Sequence, residues 1–218
     1  MYSVTTTSAR ATYHHGDLRN ALVRAAADLA EAGGPEAVTI RAAARGAGVT
    51  PTAAYRHFAG HGELLDAAKG EALDRMAAMI FEVLADPPKK ADPVEVALHR
   101  MRAGGRGYVR FALAQPGLFR TAFCHSPHED LRDAAESLAA APPHAFLSAA
   151  LDELVAVGWL DPALRPHAET PAWAAVHGLS LLLLDGPYRS LDEAERELLI
   201  DATLEMTLRG LAGGPAAG

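Results

Sequence analysis

The stretch from Thr39 to Phe58 constrains what this chain can fold into more than any other part of the sequence. Thr39 is a favourable N-cap residue, because its hydroxyl can accept a hydrogen bond from a free amide of the first helical turn. Gly48 suits the positive φ of a tight turn after that helix. Thr50 and Pro51 then supply a hydroxyl cap and a proline at the first helical position. The pattern predicts two short helices joined by a tight turn.

The second predicted helix combines short side chains in its first turn with long hydrogen-bond donors behind them. Short side chains let a helix lie deep in the major groove of DNA, where hydroxyls bond base edges and methyl groups touch thymine. Longer donors can reach the flanking phosphates. A plain alanine-rich helical hairpin is the alternative interpretation of this stretch taken alone. The short residues are Thr50, Thr52 and Ala53, and the donors are Tyr55, Arg56 and His57.

Residues on both sides of this stretch extend the pattern. A helix opens with Tyr-His-His-Gly-Asp-Leu-Arg at 13–19, and another starts with Gly-Glu-Leu-Leu at 62–65. In this order and spacing, residues 9–70 resemble the N-terminal domain of the TetR family of bacterial transcriptional repressors. Farther along, Trp-Ala-Ala-Val-His-Gly at 173–178 resembles the signature of one C-terminal subgroup of that family.

The resemblance implies a ligand-responsive DNA-binding regulator, by family default a repressor, that acts as a homodimer in a bacterial cytoplasm. The implied partners are double-stranded operator DNA, a second copy of the chain and a small hydrophobic effector. A recognition helix at 50–57 would enter the major groove, with Thr39, Tyr55 and His57 on phosphates. The candidate DNA-binding residues are Arg10, Thr39, Thr50, Pro51, Thr52, Ala53, Tyr55, Arg56, His57 and His61.

Two of these candidates carry an open alternative. Arg10 precedes the domain, where a basic arm can reach the minor groove or the DNA backbone, but it can equally be a solvated tail residue. His61 stands where a phosphate-contacting lysine is usual in the family. A neutral histidine there would donate one hydrogen bond and release less counterion than a lysine.

The whole chain predicts an all-α protein of about nine helices, because apolar residues recur at helical spacing and no strand pattern or internal repeat appears. We expect a disordered arm at 1–12 and a helix-turn-helix DNA-binding domain at 13–61. A helical effector-binding and dimerisation domain should follow at 62–212, with a flexible tail at 213–218. Gly104, Gly105 and Gly107 interrupt one long helix of that domain and predict a bend or space for a ligand.

Charge and composition fit this division. Residues 1–62 hold six arginines against four acidic residues, although the whole chain has a net charge of −7. We call residues 1–62 the head and the rest of the chain the body. A mildly basic head joined to an acidic body is typical of a DNA-binding protein whose second domain has another function. The longest candidate span, Leu179 to Leu184, is far short of the roughly 20 residues that cross a bilayer, so no membrane partner is expected. The single cysteine, Cys124, and the lack of an export signal fit a reducing cytoplasm.

The last two predicted helices are the candidates for dimerisation, because a helix that is apolar on nearly every face needs partners on both sides. The TetR resemblance also implies an effector pocket, and aromatic residues and methionine at helical spacing are its candidates. Such residues are equally the ordinary content of a helical core, and His177 could be a hydrogen-bonded core histidine. The interface candidates are Val176, Leu179, Leu183, Leu198, Ala202 and Met206; the pocket candidates are Met101, Tyr108, Phe111, Phe119, Phe123, Trp173 and His177.

Catalytic motifs are missing from the sequence. It contains no nucleophile elbow, phosphate loop or metal-binding helix motif, so we expect neither an enzyme nor a cofactor. Zinc needs three or four ligands, and Cys124 has only His125 and His128 nearby, so no metal is expected either. Whether the Cys124 thiol senses redox state depends on a pKa that the sequence does not show. The alternative function is a helical small-molecule-binding or interaction module without DNA binding.

Overall fold

The computed structural model describes residues 15–84, 92–124 and 136–213, and every regular element in those ranges is helical. The predicted all-α class is confirmed. The predicted arm with Arg10 and residues 214–218 of the predicted tail lie outside the described residues. The helices are α1 His15–Gly33, α2 Ile40–Gly46, α3 Pro51–Ala54, α4 His61–Val83, α5 Pro93–Ala114, α6 Pro116–Phe123, α7 Pro142–Ala156, α8 Arg165–Leu184 and α9 Glu193–Ala212, with a 3₁₀ turn at Pro35–Ala37.

A small core holds the N-terminal helices together. Leu22 of α1, Ala43 and Ala44 of α2 and Phe58 after α3 are completely buried. The alanines let α2 approach its neighbours closely. Tyr55 does not cover this core, since its side chain is 54% exposed. It is therefore available to a partner outside the chain.

Helix α4 connects this unit to the remaining helices. It packs against α1 and also against α5, α6 and α7. Arg75 of α4 forms ion pairs with Asp28 and Glu31 of α1 at 3.3 and 3.1 Å. At Gly117 of α6, an added Cβ would lie 2.2 Å from the carbonyl oxygen of Ala30 in α1. The C-terminal end of α1 therefore rests directly on α6.

The glycines of α5 serve close packing in a helix that runs from Pro93 to Ala114. Gly104 and Gly105 also border a cavity, which agrees with the predicted space, whereas the alternative of a bend stays a prediction. A Cβ at Gly107 would lie 2.8 Å from the Cα of Ile80, so glycine lets α5 touch the backbone of α4. A Cβ at Gly104 would lie 2.2 Å from Cε1 of Phe146, so that position accommodates an aromatic ring.

Prolines set one helix boundary and lie inside another helix. Residues 136–139 are helical, the helix stops at 140–141, and α7 begins at Pro142, where a proline removes no intrahelical hydrogen bond. Helix α8 begins at Arg165, so Pro171 lies inside it. Pro171 is exposed, as is His167 four residues earlier, whose carbonyl loses its helical partner at the surface. No helix in the described ranges is both long and apolar enough to cross a membrane.

Candidate nucleic-acid interface and interior cavity

Both predicted hydroxyl caps are present in the unit formed by α2, the turn and α3. The Oγ1 of Thr39 accepts from the amide of Ala42 at 3.2 Å, and that of Thr50 accepts from the amide of Ala53 at 3.2 Å. Gly48 has a φ of 70°, as the turn requires. Each hydroxyl proton is left free by its cap, so either threonine can still donate to an outside acceptor.

The second helix is shorter than predicted. It was expected over 50–57, but α3 comprises only Pro51–Ala54. The amides of Arg56 and His57 bond carbonyls three residues back, Ala53 at 3.3 Å and Ala54 at 2.9 Å. Ala54 and Phe58, four residues apart, both lie in the core, and the amide of Phe58 bonds the carbonyl of Ala54 at 3.1 Å. The exposed side chains of Tyr55 and Arg56 therefore project from the turn that follows α3 and not from the helix itself.

The predicted contact residues differ in how far they are exposed. Those at the start of α3 face solvent, as do the two long side chains after it and the first residue of α4. Ala53 and His57 are half-buried, and His57 has an interaction elsewhere in the chain. The exposed members are Thr39, Thr50, Pro51, Thr52, Tyr55, Arg56 and His61.

Arginines without a carboxylate partner among the described residues lie mainly in the N-terminal unit, with Arg189 and Arg196 as exceptions farther along the chain. Arg41, Arg45 and Arg56 are exposed, and no ion pair joins them to any described residue. In the body, by contrast, eight arginines form ion pairs with carboxylates. A surface with unpaired arginines attracts polyanions. The paired arginines are Arg75, Arg100, Arg102, Arg106, Arg110, Arg120, Arg165 and Arg209.

An interior cavity of about 60 Å³ lies in the body between α4, α5, α7, α8 and α9. Met101, Tyr108, Phe123 and Trp173 line it, so four of the seven predicted pocket residues meet at one cavity. Its wall also contains residues that the sequence did not single out. Arg102, His144, Phe146 and Thr207 are among them. They come from three separate helices, so their spacing along the sequence could not predict that they share one cavity.

Three predicted pocket residues do not line this cavity. Phe111 and Phe119 are fully buried, at 0% and 1% exposure, and belong to the core between helices. Their spacing marked a buried face correctly but not the part of it that borders the cavity. His177 lies behind the wall, with its ring centroid 4.7 Å from that of Phe123 and 5.4 Å from that of Phe119.

A hydrogen-bonded chain links His177 to the cavity wall. The Tyr108 hydroxyl lies 3.1 Å from the indole nitrogen of Trp173, which donates to it, and 2.8 Å from Nδ1 of His177. Burial raises the pKa of Tyr108 well above its ordinary value, so the hydroxyl keeps its proton. Burial also lowers the pKa of His177 below its ordinary value of 6.5. A neutral His177 can accept a hydrogen bond at Nδ1 from the Tyr108 hydroxyl.

The lowered pKa of His177 predicts a loss of stability in acid. An unfolded chain would bind a proton at this imidazole near its ordinary pKa, whereas the folded chain resists it, so acidification favours unfolding. The stabilisation that neutral His177 gives the folded state should be complete above about pH 6.5. It should decline as the pH falls toward the lowered pKa of His177 in the folded chain. We expect urea unfolding between pH 8 and pH 5 to show the advantage of wild type over His177→Gln shrinking with acidification.

Tyr108→Phe is the control for the cause of this shift. It removes the hydroxyl but leaves His177 buried. It should therefore lower the free energy of unfolding at every pH, and this free energy should depend on pH as it does in wild type. A slope in Tyr108→Phe that matches His177→Gln would contradict burial as the cause.

An apolar face on α9 remains exposed. Leu198 and Met206, eight residues apart on one helix face, are 70% and 66% exposed, and Ala202 lies exposed between them. On α8, Leu181 and Leu182 are 43% and 42% exposed. We call these five residues the α8/α9 face. A patch of this kind on a helix surface is typical of an interaction site.

Three of the predicted interface residues lie on the inner side of α8. Val176, Leu179 and Leu183 are 8%, 7% and 2% exposed, so they belong to the core of the chain itself. Helix α8 is apolar all round, and its sequence therefore could not show which side turns inward. Packing against α5 and α9 selects that side.

Of the three candidate metal ligands near Cys124, only the cysteine itself lies among the described residues. Cys124 is half-buried and has an interaction elsewhere in the chain. His125 and His128, the neighbours that prompted the metal hypothesis, lie outside the described residues. Within the described ranges, no three His, Cys, Asp or Glu side chains are grouped to hold a metal ion.

Two family models match the chain. The model described as bacterial regulatory proteins, tetR family, matches residues 22–68. The model described as tetracyclin repressor-like, C-terminal domain, matches residues 101–207. No curated protein sequence matches.

Solved structures share the fold. A protein of unknown function from a Rhodococcus species is 25% identical with a TM-score of 0.70, covering 93% of this chain and 100% of its own. A TetR family transcription regulator from Marinobacter aquaeolei is 22% identical with a TM-score of 0.59, covering 86% and 94%. The TetR family regulator PfmR from Thermus thermophilus is 23% identical with a TM-score of 0.55, covering 87% and 98%.

Proposed function

Since this chain belongs to the TetR family of bacterial regulatory proteins and is a DNA-binding transcription regulator, we propose that it represses transcription as a homodimer. A small hydrophobic effector would release the dimer from its operator. The observation that carries the proposal is the α2–turn–α3 unit. Its hydroxyl-capped second helix is exposed beside arginines that no carboxylate of the described chain neutralises.

In the proposed complex, the first turn of α3 enters the major groove. Thr50, Thr52 and Ala53 would face bases, because their short side chains allow a close approach. Arg56 would reach a base or a neighbouring phosphate from the turn that follows. Thr39, Tyr55 and His57 would contact phosphates, and His61 would add a contact at the start of α4.

The homodimer is proposed because one such unit reads only a few base pairs. Two-fold pairing presents two recognition helices to successive major grooves, about 34 Å apart. The exposed α8/α9 face supplies a surface that a second copy would cover. Leu198, Ala202 and Met206 would form its centre, with Leu181 and Leu182 beside them.

The cavity in the body supports the effector. It borders α4, which runs into the DNA-binding head, and its wall includes Phe123 at the end of α6, the helix that touches α1. A ligand in this cavity would act on the helices that support the head. Met101, Tyr108 and Trp173 would contact it, and mostly apolar walls favour a hydrophobic molecule.

A gel-shift titration with the DNA upstream of the protein's own gene tests the proposal. Arg56→Ala should weaken binding about tenfold or more, because it removes a charged contact to DNA. Tyr55→Phe should weaken it by a smaller factor, since it removes one hydroxyl. Both variants should keep the wild-type oligomeric state in sedimentation.

Arg100→Ala is the matched control for that titration. It removes the same charge from a half-exposed arginine of the body that is paired with Glu153. It should bind DNA like wild type. If wild type does not shift specific DNA, a helical module without DNA binding becomes the better interpretation. If Arg100→Ala loses as much affinity as Arg56→Ala, overall charge and not the α3 surface governs binding.

A further inference from the structure

Two spaces in the body are divided by one aromatic ring. Outside the interior cavity, a groove of about 640 Å³ lies between α4, α5 and α7. Phe81, Leu84, Val96 and His99 are among its lining residues. Phe146 of α7 lines both the groove and the interior cavity, and no other described lining residue is common to the two. Its ring is therefore the partition between them.

The partition ring rests on contacts that allow it to move. It meets Phe81 edge to face, with centroids 6.0 Å apart and planes at 89°. Phe81 itself is 58% exposed, so this partner is not held by a packed core. On the other side the ring edge lies against Gly104, where a Cβ would be 2.2 Å away. Phe146 is half-buried, and helix α5 leaves it no room inward at this point.

Neither space alone suits an effector of ordinary size. A water molecule needs roughly 10–15 Å³ of such volume, so the interior cavity of about 60 Å³ holds only a few waters. Sites for drug-sized ligands enclose roughly 300–1,000 Å³. The outer groove falls in that range but is open to solvent on one side. Moving Phe146 aside would join a deep apolar end to a larger outer space.

Polar groups mark the two ends differently. Inside, the Tyr108 hydroxyl and the Trp173 indole bond each other, and Arg102 pairs with Glu205 at 3.1 Å. His99 lines the outer groove, and its Nε2, which has almost no accessible surface while Phe146 is in place, has no hydrogen-bond partner. A buried polar atom without a partner is rare and unfavourable in a folded protein. The inner end therefore suits an apolar group, and the outer end suits one polar atom.

We propose that the interior cavity and the groove form a single effector site when Phe146 swings aside. The occupant is an elongated, uncharged molecule with an apolar end and one oxygen-bearing end. The apolar end fills the interior cavity beside Trp173, and the oxygen hydrogen-bonds Nε2 of His99. This inference rests on the proposed function, since it takes the body to be an effector-binding domain.

Calorimetric titration of the full chain tests the polar end. The probes are 4-phenylbutan-1-ol and butylbenzene, which differ by one hydroxyl. Wild type should bind the alcohol about fivefold more tightly, the value of one neutral hydrogen bond. His99→Leu should lose this preference for the alcohol, because its hydroxyl would have no partner there. Absence of binding, or a preference for the alcohol that survives in His99→Leu, overturns the assignment.

A ligand-length comparison tests the partition, with Leu147→Ala as the matched control. Leu147 lines only the interior cavity. Phe146→Ala should improve butylbenzene binding at least tenfold more than benzene binding, because it joins the two spaces. Leu147→Ala enlarges the interior cavity alone and should change both affinities by similar factors. Equal gains for both ligands in Phe146→Ala overturn the proposal.

Fluorine NMR reports on the ring without relying on a truncated variant. In protein labelled with 4-fluorophenylalanine, the resonance absent from Phe146→Leu belongs to Phe146. It should shift when 4-phenylbutan-1-ol saturates the wild-type protein, and an unmoved resonance overturns the proposal.

The gel shift separates this inference from the proposed function. If the alcohol binds as expected but leaves the DNA complex intact, effector release fails and the site stands. If specific DNA is shifted but the alcohol does not bind, the site fails and the DNA-binding function stands.

Discussion

Leu198→Glu should turn the protein into a monomer and lower its operator affinity at least about 100-fold. The side chain is 70% exposed at the centre of the α8/α9 face, where a second copy would cover it. A glutamate there would lose its hydration on pairing without gaining a partner. The loss of affinity follows because two linked heads bind DNA far more tightly than one head alone. Sedimentation and gel-shift titration measure the two effects, and Met206→Glu on the same face should reproduce both.

Ala78→Glu is the matched control for the dimer prediction. It places the same negative charge on an exposed apolar residue of α4 that lines neither the interior cavity nor the groove and does not belong to the α8/α9 face. The variant should remain a dimer and lose little affinity for DNA. If Leu198→Glu stays dimeric, the two copies meet elsewhere. If it becomes a monomer that binds the operator like wild type, pairing is not required for recognition.

Gly117→Ala should lower the free energy of unfolding by about 3 kcal/mol, at the upper end of the usual cost of overpacking. The added Cβ would lie 2.2 Å from the carbonyl oxygen of Ala30 and 2.6 Å from that of Glu31. Both atoms are backbone, and the Ala30 oxygen already accepts from the amide of Gly34 at 2.7 Å. Helix α6 must therefore move away from α1. Urea unfolding monitored by circular dichroism gives the change.

Gly70→Ala is the control for the same chemical change. Gly70 is exposed within α4, and a Cβ there would meet nothing within 4 Å. Alanine should stabilise the protein by up to about 1 kcal/mol, because it restricts the unfolded chain and favours helix. A Gly117→Ala variant as stable as wild type would show that α6 and α1 are not in backbone contact.

The DNA-binding unit was predictable because its signals are local. Thr39 and Thr50 cap helices through amides three residues away, and the positive φ of Gly48 belongs to a single residue. The error in this region was the length of α3. The helix ends at Ala54, followed by amides that bond carbonyls three residues back, and no glycine or proline among residues 52–58 marks that change.

The body was predicted less well because its decisive contacts join distant residues. Helical spacing identified Met101, Tyr108, Phe123 and Trp173 as inward-facing, and all four reach the cavity. The same spacing could not separate them from Phe111, since a core face and a cavity wall have the same periodicity. The partition by Phe146 was invisible, because it depends on a glycine in another helix.

From the sequence alone follow the helical class, the capped helix pair and the family, since each rests on residues close together in the chain or on motifs in register. The tertiary structure decided which sides of α8 and α9 stay exposed, which arginines are neutralised and where the cavity lies. Those properties depend on packing between helices far apart in sequence. An apolar residue is placed by its helical period on a face, but only its neighbours in space determine whether that face becomes core, cavity or surface.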